Sequence, residues 1–208
     1  TGKTHHITFD NVKMDGQLVL APEELPFKSM AQWMTFSEMK RTPQPYLLDF
    51  APKPRWSYVM GIELEGMLDT YQAYGGDDIL NYLKAYPCKM IDDSGEVTGY
   101  DYKAFNLDNV RTAKFILRMQ QIDPRTGNDK ALATMMKQLH HQPRTHEGVF
   151  WHKAIYANQV WLDGIFMGLP FYCAYAMDHY PAKKARRVLD DAVDQIVKTD
   201  KRTYDEAS

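Results

Sequence analysis

Two aspartates are the residues in this sequence whose type and position are best suited to chemistry. The first, Asp163, lies on a predicted helix where Gln159, Asp163 and Met167 are spaced four apart and therefore share one face. Its neighbours on that helix are largely apolar, and a carboxyl group in apolar surroundings has a raised pKa. A carboxyl group that stays protonated near neutral pH can act as a general acid. A surface aspartate on an amphipathic helix is an equally good interpretation of this helix alone.

The second aspartate, Asp108, begins a different predicted helix, within the run Phe105–Asn109. Backbone N–H groups and the helix dipole stabilise an ionised carboxylate at a helix N-terminus. Taken alone, Asp108 fits the simpler role of a capping residue. Asp163 is predicted to lie a turn inside its helix, without that stabilisation, so the pair would hold one ionised and one protonated carboxyl group. Carboxyl groups with opposed pKa shifts are the pattern of acid–base catalysis.

Aromatic, imidazole and amide side chains accompany the two aspartates. The stretch Arg144–Gly168 is the densest in such groups, and it begins as a loop because Pro143 and Gly148 interrupt it. The residues predicted to face one common mouth are Trp56, Tyr58, Asp108, His152, Gln159, Trp161 and Asp163. Arg144 has two interpretations, the bidentate binding of a sugar carboxylate and the orientation of its own loop.

Seven predicted helices position these residues. They span Glu23–Arg41, Tyr58–Tyr74, Asp78–Ile91, Leu107–Gln121, Asp129–His140, Gln159–Asp178 and Ala182–Lys198. The second, fourth and sixth helices begin near residues 58, 108 and 159, so a helical hairpin repeats about every 50 residues. A helical hairpin of fixed period indicates either a solenoid or a closed ring. Residues 1–21 mix short β-like runs with turn signals and predict an extended arm that includes a possible hairpin.

The two helices of each predicted hairpin differ in character. The first is apolar around most of its circumference, which is typical of a buried helix, whereas the second is amphipathic and carries charges on one side. The first helices are therefore predicted to form an inner layer and the second helices an outer one. The long loops that precede the inner helices then gather at one end, and the residues suited to chemistry lie at that end.

Composition argues against several kinds of partner. The net charge of −2 gives no reason to expect nucleic acid or an anionic membrane, and no apolar run reaches the ~18 residues of a spanning helix. The histidines lack the compact spacing of metal ligands, so neither a metal nor another cofactor is predicted. Cys88 and Cys173 define no disulfide framework. Glu63 and Glu65, within a mostly apolar helix, predict a buried structural ion pair.

Four blocks of the sequence resemble a known family. The strings Gln142–Lys153, reading QPRTHEGVFWHK, and Gln159–Gly164, reading QVWLDG, closely resemble the unsaturated rhamnogalacturonyl hydrolases of glycoside hydrolase family 105. Pro54–Tyr58 (PRWSY) and Asn106–Asn109 (NLDN) resemble that family's other blocks, in the same order. The resemblance covers about residues 27–200. It implies an all-α (α/α)6 barrel, in agreement with the repeat, and the related unsaturated glucuronyl hydrolases of family 88 share this fold and chemistry.

The resemblance implies an unusual reaction and a set of site residues. Such enzymes hydrate the C4=C5 double bond of the unsaturated uronic acid that a polysaccharide lyase leaves at a chain end. By resemblance, Asp163 protonates C4 and activates the water that adds at C5, and Asp108 is its partner carboxylate. The implied partner is therefore an unsaturated oligosaccharide substrate. The predicted substrate-binding residues are His152, Trp161, Gln159, Tyr58, Trp56, Arg144 and Met167.

The length of the chain departs from the family pattern. Only about seven of the twelve helices of an (α/α)6 ring are predicted, so residues 22–208 are expected to be the N-terminal part of one barrel domain. We expect further sequence or another chain to supply the remaining helices, together with the groups that meet the uronate carboxylate. Two other functions stay open, a carbohydrate-binding or scaffold protein without turnover and a conventional inverting glycosidase on the same fold.

Overall fold

The computed structural model describes residues 27–126 and 128–205, together with the backbone of residues 13–14 and 17–18. The two short strands β1 (Lys13–Met14) and β2 (Gln17–Leu18) pair antiparallel, as expected for a hairpin within the predicted arm. The other residues of the arm, and the predicted helical residues 23–26, lie outside the described part of the chain.

Seven α-helices make up most of the described chain. They are α1 (Met30–Arg41), α2 (Tyr58–Tyr74), α3 (Asp77–Met90), α4 (Leu107–Ile122), α5 (Asp129–His141), α6 (Asp163–His179) and α7 (Ala182–Thr203). Polar caps explain several starts, because the side chains of Ser29, Ser57, Asn106 and Asn128 each accept a hydrogen bond from a backbone N–H of the following turn. Pro170 lies inside α6 without ending it, as predicted.

Three helix boundaries differ from the sequence-based expectation by several residues, one of them being the end of α7, at Thr203 rather than Lys198. Helix α1 begins at Met30, because Ser29 caps it and residues 27–29 are not helical. Helix α6 begins at Asp163 rather than Gln159, because Asn158 has a positive φ of 59° and the backbone up to Leu162 is occupied in loop hydrogen bonds. The predicted starts of α2, α4, α5 and α7 are confirmed.

The helices form three hairpins, α2–α3, α4–α5 and α6–α7. Helix α4 packs directly against both α2 and α6, while α3, α5 and α7 pack against the outside of that inner layer. Short turns join the two helices of each hairpin, whereas the long loops 42–57, 91–106 and 142–162 precede the inner helices. The N-termini of α2, α4 and α6 therefore lie at one end, together with these loops. The predicted arrangement of inner and outer helices is confirmed.

Glycines and a threonine let the inner helices approach closely. A Cβ at Gly61 of α2 would lie 2.5 Å from Thr112 Oγ1 of α4, so no larger residue fits there without separating the helices. That hydroxyl donates to the Ser57 carbonyl at 2.7 Å. Gly164 and Gly168 of α6 also let Leu107 of α4 approach closely.

Apolar side chains from all three hairpins fill one core. Each fully buried side chain of this size contributes about 1.5–3 kcal/mol relative to exposure to water. The largest of them include Tyr86, Phe115, Phe171, Leu48, Met60, Leu64, Leu68, Ile79, Leu83, Ile116 and Met119. Within the described residues, no helix is both long enough and apolar enough to cross a bilayer.

An ion network joins α2 to α4 inside this layer. Glu65 is buried and contacts Arg111, Lys114 and Arg118. Burial acts to raise the pKa of Glu65, but the three cations outweigh it, so its pKa lies below the usual value. The predicted structural ion pair is thus confirmed for Glu65. Glu63 differs, because burial and then the nearby Glu38 raise its pKa.

Candidate active site

The first turn of α4 presents the side chain of Asp108 towards the loop 142–162. Asn106 is the N-cap of α4, and its side-chain oxygen accepts a hydrogen bond from the Asp108 N–H at 3.0 Å. Asp108 therefore lies inside the helix, and its carboxylate is not used as a cap. The interpretation of Asp108 as a capping residue is wrong, because Asn106 already fills that role two residues earlier.

His152 lies between the two aspartates. Its Nε2 is 3.1 Å from Asp108 Oδ1, and its Nδ1 is 4.0 Å from Asp163 Oδ1. One oxygen of each aspartate and a nitrogen of His152 all lie within 4.8 Å of one another. The fold thus brings Asp108, His152 and Asp163, which come from separate segments of the chain, into one cluster.

The imidazole of His152 is held mainly by its backbone and by stacking. Its side chain is 1% exposed, yet neither ring nitrogen makes a well-aligned hydrogen bond to the described residues, so the 3.1 Å contact with Asp108 is close but off line. The Trp161 ring stacks on it at 4.4 Å with an interplanar angle of 7°. The His152 N–H donates to the Gln159 carbonyl at 2.9 Å, and the His152 carbonyl accepts from the Leu107 N–H at 3.1 Å.

Lys153 also contacts this cluster, and it was not identified as a candidate from the sequence. Its Nζ lies 2.8 Å from Asp108 Oδ2, so the two oxygens of Asp108 face two different basic side chains. Burial acts to raise the pKa of Asp108, but His152 and Lys153 outweigh it, and the pKa lies below its usual value. Asp108 is therefore ionised at neutral pH. The position of Lys153 directly after His152 was the available signal in the sequence. A lysine at a loop position, however, usually extends into solvent.

Asp163 has different surroundings from those expected. Its side chain is 48% exposed, against 13% for Asp108, and it lies in the first turn of α6 rather than a turn inside the helix. Since nearly half of this side chain is exposed, the predicted apolar surroundings do not enclose it. Both aspartates lie in the first turn of a helix, so helix position does not distinguish their surroundings, whereas burial and the contact with Lys153 do.

The predicted face formed by Gln159, Asp163 and Met167 is also wrong. Gln159 precedes α6, where its carbonyl accepts from the His152 N–H and its side-chain oxygen accepts from the Trp161 indole at 3.1 Å. Gln159 and Trp161 nevertheless lie beside His152, because these loop contacts bring them there. Met167 is buried one turn after Asp163, and Tyr58, at the start of α2, is partly exposed.

Two predicted substrate-binding residues have structural roles instead. Trp56 is 4% exposed, its indole N–H donates to the Asn109 carbonyl at 2.7 Å, and its ring stacks on Tyr86 in the core. Arg144 makes two hydrogen bonds to the Asp191 carboxylate, at 2.7 and 2.8 Å, and its guanidinium lies over Phe150. The second interpretation of Arg144, the orientation of its own loop, agrees with these contacts.

The cluster has the donor set of a metal site as well as that of an acid–base site. Two carboxylates and an imidazole within 4.8 Å could hold a cation. The Lys153 ammonium, however, already occupies Asp108 Oδ2 and places a positive charge beside the site, which disfavours a second cation there. The histidine spacing in the sequence had given no indication of this cluster, because its members come from three segments.

Helical hairpins arranged in an inner and an outer layer, with a carboxylate pair at the N-terminal end of the inner helices, define the class of the helical-toroid glycosidases. The model of glycosyl hydrolase family 88 matches residues 30–208, and the chain belongs to that family. The predicted resemblance to families 105 and 88 and the predicted (α/α)6 fold class are confirmed.

Two known proteins are similar to this chain. The unsaturated rhamnogalacturonyl hydrolase YesR of Bacillus subtilis (strain 168) is 25% identical over 138 residues, which are 62% of this chain and 35% of YesR. The structure of a family 105 glycoside hydrolase from C. acetobutylicum ATCC 824 superposes with a TM-score of 0.73 at 27% identity, covering 84% of this chain and 46% of that one. The chain therefore spans less than half the length of either protein.

Proposed function

We propose that this protein is a glycoside hydrolase that removes a 4,5-unsaturated uronic acid from the non-reducing end of short oligosaccharides left by a polysaccharide lyase, such as rhamnogalacturonan fragments. It acts by hydrating the double bond. Membership of family 88 and the similarity to an unsaturated rhamnogalacturonyl hydrolase support the class of reaction. The Asp108–His152–Asp163 cluster supports the site.

The observation that carries the proposal is that the two carboxylates beside His152 have different basic neighbours. Asp108 faces Lys153 and His152, and the resulting low pKa keeps it ionised. Among the described residues, the one basic group within 4.0 Å of the Asp163 carboxylate is His152, and nearly half of the Asp163 side chain is exposed. Of the two, Asp163 is therefore the group that is free to exchange a proton with a substrate.

The reaction needs one group that first donates a proton and then accepts one. Asp163 donates its proton to C4 of the vinyl ether, and positive charge develops at C5 and the ring oxygen. The Asp163 carboxylate then takes a proton from the water that adds at C5, so the net change is the addition of one water molecule. The hemiketal opens to a ketone at C5, and the next sugar leaves from C1. The ionised Asp108 stabilises the developing positive charge.

The residues around the cluster form the wall of the proposed subsite. Trp161 presents a partly exposed indole beside His152, and Gln159 orients that indole through its side-chain oxygen. Tyr58, the first residue of α2, presents a partly exposed ring at the same end of the inner layer. Aromatic rings of this kind suit the apolar faces of sugars, and buried imidazole and carboxylate groups suit their hydroxyls.

A conventional inverting mechanism suits this geometry less well. Inverting glycosidases keep their two carboxyl groups about 6.5–9.5 Å apart so that a water molecule fits between them. Here one oxygen of Asp108 and one of Asp163 lie within 4.8 Å of each other. The conventional inverting mechanism is therefore not proposed.

The test is to follow the ultraviolet absorbance of an unsaturated rhamnogalacturonan disaccharide when the protein is added. Hydration removes the conjugated double bond, so the absorbance should fall while free sugar appears. The saturated form of the same disaccharide is the matched control and should stay intact. Cleavage of the saturated form would favour a conventional glycosidase, and binding without loss of absorbance would favour a carbohydrate-binding protein.

A further inference from the structure

Two stretches of backbone carry Asp108 and His152, and they run side by side. The Ala154 N–H donates to the Ala104 carbonyl at 3.0 Å, and the Leu107 N–H donates to the His152 carbonyl at 3.1 Å. Beside these two bonds, the carbonyls of Phe105 and Trp151 accept no backbone N–H from the described residues. Two carbonyls cannot bond to each other, so a third group has to supply a donor to each of them.

Gln142 supplies both donors. Its side-chain Nε2 donates to the Phe105 carbonyl at 2.6 Å and to the Trp151 carbonyl at 2.8 Å. A primary amide is the side-chain group that offers two N–H donors without adding a charge, and Gln142 is only 4% exposed. The amide thus joins the segment three residues before Asp108 to the residue directly before His152.

A second glutamine fixes the orientation of that amide. Gln138, one turn earlier on α5, is fully buried, and its Nε2 donates to Gln142 Oε1 at 3.1 Å and to the Asn106 carbonyl at 3.2 Å. The Tyr100 hydroxyl donates to Gln138 Oε1 at 2.6 Å. With its oxygen committed to Gln138, the Gln142 amide can present only its NH2 group to the two carbonyls.

The backbone that Gln142 holds is in an unfavourable conformation. Phe105 has a φ of 42° and lies in the left-handed region, which costs a residue with a side chain of order 1–3 kcal/mol. Asn106, the N-cap of α4, follows directly. The hydrogen bond from Gln142 to the Phe105 carbonyl therefore helps to maintain the turn that sets the direction of the first turn of α4, where Asp108 lies.

We propose that Gln142 is a positioning residue for the active site, which sets His152 against Asp108 by joining the two backbone segments, and that Gln138 keeps the Gln142 amide in the required orientation. The effect on turnover rests on the proposed function. The effect on the geometry of His152 does not, and it can be measured separately.

The test compares Gln142→Met with Gln195→Met. Gln195 is equally buried, and it also makes two hydrogen bonds, accepting from the Phe150 N–H at 3.1 Å and donating to Asp191 at 3.2 Å. It holds the same loop, but neither of these hydrogen bonds reaches the segment before Asp108. Both variants should lower the melting temperature. Gln142→Met should lower kcat by about 10-fold or more with KM within about 3-fold, whereas Gln195→Met should keep kcat within about 3-fold.

A fluorine NMR measurement provides a readout that does not depend on turnover. The protein is labelled with 5-fluorotryptophan, and the Trp161 signal is assigned from its loss in Trp161→Phe. Because the Trp161 ring stacks on His152 at 4.4 Å, its signal reports the position of the imidazole. Gln142→Met should shift or broaden that signal, and Gln195→Met should leave it in place.

Several outcomes would overturn the proposal. An unchanged Trp161 signal in Gln142→Met would do so whatever the rate, and so would equal changes of signal in both variants, since these would indicate a general loss of stability. If Gln142→Met does not fold, Tyr100→Phe serves as the second variant, since it removes only the hydrogen bond from Tyr100 to Gln138. It should shift the Trp161 signal in the same direction by a smaller amount. An unchanged Trp161 signal in Tyr100→Phe would contradict the proposal. If the unaltered protein shows no turnover, the proposed function fails while the fluorine signals still decide the role of Gln142.

Discussion

At the scale of single residues, the account depends on the different surroundings of Asp108 and Asp163. The sequence identified both as the carboxylate pair, but it derived their contrast from their positions along helices. In the structure the contrast has another origin, because Lys153 and His152 face Asp108, and Asp163 is open on one side. The contacts of Asp108 join segments 44 and 45 residues apart, and they depend on loop paths, which local patterns do not encode.

Trp56 illustrates the same limit. Its position two residues before Tyr58 placed it at the predicted mouth, yet its ring is in the core against Tyr86. Sequence order gives the end of the molecule at which a residue lies, but not the side to which its side chain turns. His152, Trp161 and Gln159 were predicted beside the aspartates by resemblance, and they do lie there.

The replacement Asp163→Asn should abolish turnover and leave the fold intact. The amide keeps the volume of the side chain but cannot deliver a proton to carbon, and loss of general acid catalysis lowers rates by about 10²–10⁴-fold. Turnover is measured by the fall in ultraviolet absorbance, and thermal melting serves as the control for folding. A variant that retains a near-normal rate would contradict the role of Asp163.

The replacement Lys153→Met should raise the pKa of Asp108 towards its usual value of 3.8. A carboxylate with a lowered pKa in the folded state contributes stability above its unfolded pKa and loses that contribution as the pH falls through the folded pKa. The unaltered protein should therefore be more stable than the variant at neutral pH. The difference between their melting temperatures, measured from pH 7 down to about pH 3, should become smaller as the pH falls.

A cation–π contact in another part of the chain offers a control for this variant. Lys184→Met removes a lysine that lies over the Tyr180 ring and does not contact Asp108. Its melting temperature should follow the pH dependence of the unaltered protein. If Lys153→Met and Lys184→Met behave alike, Lys153 does not stabilise the ionised Asp108.

At the scale of elements, periodicity and capping signals were enough for most helices. The predicted starts of α2, α4, α5 and α7 coincide with the residues that follow Ser57, Asn106, Asn128 and Pro181. The start of α6 did not, because its first residues have no side-chain cap and Gln159–Asp163 fits a helical pattern. That backbone instead completes the loop around His152, so a tertiary contact overrides the local preference.

The replacement Asn106→Ala should reduce both stability and activity. It removes the cap of α4, which costs about 1 kcal/mol, and it frees the first turn that carries Asp108. Asn128→Ala is a matched control, because it removes the cap of α5 away from the aspartates. Thermal melting and kcat measured for both variants should show similar losses of stability, with a loss of kcat in Asn106→Ala alone. Equal rates would show that the cap of α4 has no influence on the site.

At the scale of the whole molecule, we propose that residues 22–208 form the N-terminal part of one barrel domain, which further sequence or another chain completes. The chain covers only 46% of the structure that it superposes on. Ile62 and Phe166 of the inner helices, and Val193 and Ile196 of α7, are exposed in the described chain. Large apolar patches of this kind usually mark a surface that another element covers.

A protein limited to these 208 residues should therefore bind a hydrophobic dye and associate in solution. Exposed apolar area costs about 25 cal/mol per Å², so several uncovered helix faces are significant against a domain stability of about 5–15 kcal/mol. Sedimentation and dye fluorescence measured at several protein concentrations test this. A monomer without dye uptake would mean that the seven helices are sufficient by themselves, and the proposed completion would be wrong.

The hydration of the double bond is the central claim, and the most direct measurement is the reaction in D₂O, followed by NMR from the first minutes. Because Asp163 exchanges its proton with solvent, the account predicts that deuterium enters at C4 of the uronic acid product as fast as the next sugar is released. Samples should be taken before the keto product exchanges its own hydrogens. Release of the sugar with the C4=C5 bond intact and no deuterium at C4 would contradict the account.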